Sequence, residues 1–440
     1  MQLSRLFLLG FLLAAGAVRA ADLITVYREA ARTNPELAAA AARLEAVRES
    51  RPQARAGLLP NIGASGAIDR TQQKNLNDPK TTEDVTNKLA SLDLTQPLFR
   101  YDRWIQLEQA DSEIAGAEAQ FAAAQQDLMV RVAERYFDVL DAQDNLEFAE
   151  AEKSAIGRQL DQATQRFDVG LIAITDVKAA QARYDLSVSQ EIRAISQLVE
   201  AKDALREIAG VYYDELASLE PDLELVRPDP DSIDAWIAKA EAQNLSVLGA
   251  RASAESARQQ IRFQRAQHYP TVDLNASTSY FDRDFGGVVP QERQDSSIGL
   301  QLNIPLYEGG AINSRTREAQ DLFQEAQQQL AQQVRSAELE TRNAYRGIRT
   351  DIAQVKALAE SLRSTEIAVE AEEAGFEVGT RTIVDVLNSQ REYYLARLNY
   401  ARARYLYVLD HLRLKRAAGI LTGQDLLEVN ETLVESPASP

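Results

Sequence analysis

The sequence predicts an α+β protein built from two copies of one unit, each pairing a β-hairpin with an exceptionally long helical hairpin. Three observations carry this. First, two turns share one logic: Arg166-Phe167-Asp168-Val169-Gly170-Leu171-Ile172-Ala173-Ile174-Thr175-Asp176-Val177, and Gly375-Phe376-Glu377-Val378-Gly379-Thr380-Arg381-Thr382-Ile383-Val384-Asp385-Val386-Leu387. Both read aromatic, acid, Val, Gly, then a short run ending in Asp-Val. Second, the spacing repeats. Gly170 and Gly379 are 379 − 170 = 209 positions apart, as are Asp176 and Asp385, Tyr136 and Tyr345, and Gly210 and Gly419. Third, two stretches in each copy alternate apolar and polar residues, the period of a strand with one greasy face.

Composition narrows the chemistry. The 440 residues contain no Cys, which excludes disulfides, thiolate catalysis, Cys-based zinc sites and an acylated N-terminal Cys. His268 and His411 stand far apart, with no ligand cluster around either. A net charge of −18 argues against a nucleic-acid partner. No Gly-x-x-x-x-Gly-Lys loop is present, and the acids are spread along helix faces without a convergent pair. Neither an enzyme nor a cofactor is expected.

Residues 1–20 read as a secretory signal. Arg5 supplies the positive start, Leu6 to Ala17 is apolar but too short to span a bilayer, and Val18-Arg19-Ala20 fits cleavage after Ala20. Beyond it no apolar run reaches the length of a membrane helix. Any membrane crossing therefore falls to strands.

The first repeat is placed at 21–220. Asp22 to about Arg55 is Ala-rich and helical, with a turn at Asn34-Pro35. Ile62, Ala64, Gly66 and Ile68 then alternate along a strand; a polar loop follows from Thr71 to Thr86, including Asn77-Asp78-Pro79. Ala90, Leu92 and Leu94 mark the second strand, which Pro97 closes. From Arg103 to Phe167 the composition is that of a helix roughly 100 Å long, with Leu128, Val132, Tyr136 and Leu140 on one stripe. Gly170 ends it; Thr175 or Asp176 can cap the next helix, which runs to about Ala209. Residues 221–230, rich in Pro and acids, read as a linker.

The second repeat, 231–427, keeps the order. A helix is expected from about Ser232 to Gln267. Strands follow around Val272, Leu274, Ala276 and Tyr280, and around Ile298, Leu300, Leu302 and Ile304, with Phe285-Gly286-Gly287 in the loop between them. Pro305 closes the hairpin. In the long helix beyond it, Tyr345, Ile348, Ile352, Val355, Leu358 and Leu362 form a coiled-coil-like seam. Residues 428–440 are left as a polar tail.

Four strands of about ten residues, the length that crosses a bilayer, cannot close a membrane barrel, whose smallest members have about eight. An open edge is not tolerated in lipid. The chain must therefore assemble, to eight strands as a dimer or twelve as a trimer. The charged helices must project into water. A periplasmic coiled-coil adaptor or structural protein is the alternative reading, disfavoured by the duplicated helices and membrane-length strands.

The opening Leu23-Ile24-Thr25-Val26-Tyr27 with Asn34-Pro35-Glu36-Leu37, together with the two turn motifs, resembles the TolC family of outer-membrane efflux and type I secretion channels. The likeness covers the chain to about Leu427. It implies a trimeric twelve-stranded outer-membrane β-barrel, four strands per chain, continuous with a long periplasmic α-helical barrel. Its implied partners are an outer-membrane lipid surround, a periplasmic adaptor and an inner-membrane ABC or proton-driven pump. It further implies a gate in which Arg381 reaches Thr175 and Asp176 of a neighbouring chain. Phe376 takes the place of a gate Tyr and lacks its hydroxyl. Asp385 matches the first of two acidic constriction rings, whereas Asn388 stands at the second and leaves it uncharged.

Overall fold

The computed structural model describes residues 20–74, 82–284 and 291–434. The element order is α1 (Leu23–Thr33), α2 (Pro35–Arg48), α3 (Ser50–Ala56), β1 (Asn61–Lys74), β2 (Thr82–Phe99), α4 (Tyr101–Asp168), α5 (Ile174–Ala209) and β3 (Ser218–Leu219). It continues with α6 (Ile233–Gln243), α7 (Leu245–Ala266), β4 (Thr271–Asp284), β5 (Gln291–Asn303), α8 (Ala311–Glu377), α9 (Ile383–Ala417), α10 (Gly423–Glu431) and β6 (Leu433–Val434). The second series repeats the first. Among the described residues no helix is long and apolar enough to cross a membrane.

Two compact units form, and they cut across the repeats. One comprises Ala39–Ala123 and Leu245–Ser336 and holds a four-stranded antiparallel sheet in the order β1-β2-β4-β5. Its central pairing, β2 with β4, joins strands of different repeats, so neither hairpin stands alone. The register sets Ile62, Leu94, Ala276 and Ile298 in one row across all four strands. On the opposite face a second row runs through Ser65, Ser91, Ser279 and Asp295, in which Ser65 and Ser91 are hydrogen-bonded at 2.8 Å. Nearby on that face Thr95 donates to Asn275 and Asn275 to Gln301. One face is thus aliphatic and exposed, the other a lattice of hydroxyls and amides.

The strands are longer than expected, at 14, 18, 14 and 13 residues. Pairing needs only backbone partners, whereas the alternation marks only the lipid-length section. The ends beyond it are charged, as in the Arg70–Asp84 and Lys88–Asp282 pairs. The expected loop from Thr71 to Thr86 shrinks accordingly, and Asn77-Asp78-Pro79 and Phe285-Gly286-Gly287 lie outside the described residues. Nor does Pro97 close β2. The strand runs on to Phe99 through a register shift at Pro97, which has no N–H to give the ladder.

The other unit is mainly helical, its core centred on Leu128, Val132, Tyr136 and Leu140 as the stripe predicts, with Tyr345, Ile348, Val408 and Leu412. The Tyr136 hydroxyl donates to the Ala217 carbonyl at 2.7 Å. The first opening helix turns at Asn34, as expected, and is interrupted again at Glu49, while the second, expected to be continuous, is broken in two at Asn244. The buried amides of Asn34 and Asn244 donate to the Ile208 and Ala417 carbonyls, at 3.4 and 2.9 Å, near the ends of α5 and α9. The second break has no proline, so the Asn side chain's partner, not proline geometry, defines it. The 221–230 segment is pinned to α9: the Tyr407 hydroxyl accepts from the Val226 N–H at 2.7 Å. The expected polar tail is shorter than 428–440, because α10 runs to Glu431 and β6 pairs with β3.

Candidate functional site

The two turns predicted to matter lie against each other within the helical unit. At the first, Gly170 takes φ 75°, a left-handed conformation that glycine adopts without a Cβ penalty, and its N–H donates to the Phe167 carbonyl at 2.8 Å. At the second, Gly379 takes φ 80° and its N–H bonds the Phe376 carbonyl at 3.2 Å. The Thr380 hydroxyl ties back to the Gly375 carbonyl at 3.0 Å.

Phe376 links the turns. It is buried in a cluster with Ile156, Ala163, Ala180, Ile383, Val386 and Leu387. The Arg166 guanidinium lies 4.4 Å from its ring centroid and donates to its carbonyl at 3.4 Å. The α4–α5 and α8–α9 hairpins of one chain are therefore joined by an aromatic ring capped with a cation. A hydroxyl is not needed for this contact.

The expected caps are partly corrected. Ala173, not Thr175 or Asp176, is the N-cap residue of α5, and Asp176 reaches back from the first turn to accept the Ala173 N–H at 3.4 Å. Thr175 is exposed beside it. In the second turn the box is complete: Thr382 caps α9, and the Asp385 carboxylate accepts the Thr382 N–H at 2.9 Å and its hydroxyl at 2.7 Å. Those bonds, the hydroxyl's foremost, hold the Asp385 carboxyl below the usual carboxylate range. Asp385 therefore stays ionised at neutral pH while serving the helix.

Arg381 pairs with Glu372 of its own chain at 3.3 Å and is 56% exposed. Asn388 accepts from Arg183 at 2.9 Å, across from α9 to α5. The sequence reading missed Arg166, Arg183 and Glu372. Arg166 opens the first quoted motif and could have been found there; nothing in the spacing marks Arg183. Among the described residues no cluster of His, Asp and Glu could hold a metal ion.

A seam of charge joins α4 to α9 in the same unit. Glu134 meets Arg413 at 2.7 Å, Asp141 meets Arg402 at 2.6 Å, and the Tyr405 hydroxyl donates to Asp144 at 2.6 Å. Burial pushes the Asp144 carboxyl up to about 6, against the opposing pull of the Tyr405 bond. No part of this arrangement sets a nucleophile beside a base; it ties α4 to α9.

Comparison with known proteins gives the same reading. The family model described as outer membrane efflux protein matches twice, over residues 26–211 and 236–420. The chain is 39% identical over 424 residues, 95% of each protein, to the outer membrane protein TolC of Vibrio cholerae. It is 31% identical over 430 residues to the alkaline protease secretion protein AprF of Pseudomonas aeruginosa, covering 95% of this chain and 89% of that one. Among solved structures, the Campylobacter jejuni CmeC outer membrane channel shares the fold with a TM-score of 0.79 at 16% identity, over 94% of this chain and 90% of the other. Matched by that model in both of its repeats, and by relatives along nearly its whole length, the chain belongs to the outer membrane efflux protein family.

Proposed function

We propose that three copies of the chain close a twelve-stranded barrel in the outer membrane, continuous with a helical duct in the periplasm. The duct is the exit route for cargo delivered by an inner-membrane ABC or proton-driven pump through a periplasmic adaptor. One observation carries this reading: the sheet has an aliphatic exposed face and two unpaired edges, β1 and β5, which lipid does not tolerate. The family model, described as outer membrane efflux protein, supports efflux, and AprF, named for alkaline protease secretion, supports protein export as the second cargo class.

In this reading the paired turns are the gate. The exposed Arg381 guanidinium is available to Thr175 and Asp176 of a neighbouring chain, and Phe376 with Arg166 keeps the two hairpins of each chain together. Asp385 forms a ring of three carboxylates at the constriction, and Asn388 forms an uncharged ring a turn deeper. The test is the mass of the detergent-solubilised protein, corrected for bound detergent. Three chains per particle are expected, and a stable monomer or dimer would overturn the assembly.

A further inference from the structure

Where the chain enters β1, the unit that holds the sheet carries a notch of about 760 Å³ lined by Arg51, Pro52, Arg55, Leu58, Leu59, Trp104 and Leu107. Its apolar wall is fixed by backbone bonds. The Leu58 N–H donates to the Arg55 carbonyl at 2.9 Å and the Leu59 N–H to the Ala56 carbonyl at 3.1 Å. The Gln96 amide holds the Leu58 carbonyl at 3.1 Å. Leu59 and Trp104 are nevertheless 49% and 56% exposed, and Leu59 lies two residues before the start of a strand with an aliphatic outer row.

The charges are uneven. Arg51 pairs with Asp111 at 3.0 Å, while the Arg55 side chain has no hydrogen bond or ion pair among the described residues. Arg100, in contrast, is engaged with Asp273 in two bonds and Arg103 with Gln106. The notch therefore combines a guanidinium without a partner among the described residues with a rigid apolar wall, at the point where the chain enters the sheet. A soluble anion would leave the wall wet, and a neutral chain would leave Arg55 without a partner.

We propose that the notch binds an anionic phospholipid of the leaflet on the helical side. The phosphate rests on Arg55 with help from Arg51, and an acyl chain lies along Leu58, Leu59, Trp104 and Leu107. A guanidinium fork matches phosphate oxygens, and a Trp ring suits the boundary between headgroup and chain. This inference rests on the outer-membrane reading above.

The chain has two tryptophans, and Trp236 is only 3% exposed, so Trp104 is the natural reporter. Full-length protein is placed in nanodiscs containing phosphatidylglycerol or phosphatidylethanolamine with brominated chains, and tryptophan quenching is read with Trp104→Phe as the blank. Brominated phosphatidylglycerol should quench at least twofold more steeply than phosphatidylethanolamine, and Arg55→Gln should erase that difference while inorganic phosphate does not. Equal quenching by the two lipids, a preference that survives Arg55→Gln, or displacement by phosphate alone would each overturn the proposal. So would an absence of quenching, which would mean that a neighbouring chain covers the notch. Recovery of parent and variant in the outer-membrane fraction separates the two readings. If the parent is absent there, the location is wrong. If it is present but shows no lipid preference, only the notch is wrong.

Discussion

Truncating Phe376 tests whether the joined turns hold the duct shut. The ring is 7% exposed in a cluster of seven buried residues and lies 4.4 Å from the Arg166 guanidinium. Phe-to-Ala changes at such positions cost about 3–5 kcal/mol, of which a partly shielded cation–π contact supplies about 0.5–2 kcal/mol. Phe376→Leu keeps most of the apolar packing and loses the π face, so its cost should be about 1–2 kcal/mol. If opening separates the α4–α5 hairpin from the α8–α9 hairpin, that energy is lost from the closed state. Each 1.4 kcal/mol is a factor of ten, so about 3 kcal/mol raises the open population on the order of a hundredfold. The assay is single-channel conductance in planar bilayers for the parent, Phe376→Leu and Phe376→Ala, which should open progressively more often in that order. If Phe376→Ala assembles normally and conducts like the parent, the contact survives opening and the reasoning fails.

Arg381→Ser should raise conductance and sensitise cells to vancomycin. Its exposed contact with Glu372 contributes only about 0–1 kcal/mol, so a clear effect requires the neighbour-chain partner and a silent mutant would remove it. At the constriction, Asp385→Asn should nearly abolish block by a trivalent hexammine cation. Asn388→Asp should tighten block, but only modestly, because Arg183 already sits on that side chain; adding Arg183→Gln should release the full effect. Equal block in all variants would mean that neither position faces the lumen. For Asp144, a folded-state value near 6 against an ordinary 3.8 means stability is fully present below about pH 4 and declines as pH rises through 6. Asp144→Asn should match the parent at pH 4 and exceed it by about 1–2 kcal/mol at pH 7.5, after a discount for the group's residual exposure. Thermal melts at the two pH values check this.

The turns, the four strands and the long helices were legible because each leaves a local signature. Gly170 and Gly379 punctuate, alternation marks a lipid-facing row, and a stripe such as Leu128 to Leu140 marks a core face. The break at Asn244 was not legible, since its cause is a carbonyl on Ala417, 173 residues away. Strand ends were underestimated because backbone pairing continues where alternation stops. At the second turn, Thr382-x-x-Asp385 is a readable capping box, yet the sequence suggested for Asp385 only a place in the constriction. The Arg166–Phe376 and Arg183–Asn388 contacts join separate repeats, and no spacing within one helix encodes them.

The two bare edges of the sheet have a consequence for biogenesis. β1 presents 14 residues and β5 presents 13, and about half of their backbone donors and acceptors face outward without a partner. Each such group would cost several kcal/mol in hydrocarbon, so a lone subunit is barred from the bilayer by its own main chain. Insertion and ring closure must then be one event, steeply dependent on subunit concentration. A subunit whose edge strand is damaged would be excluded before it reached lipid, which makes the main chain itself the inspector of every ring.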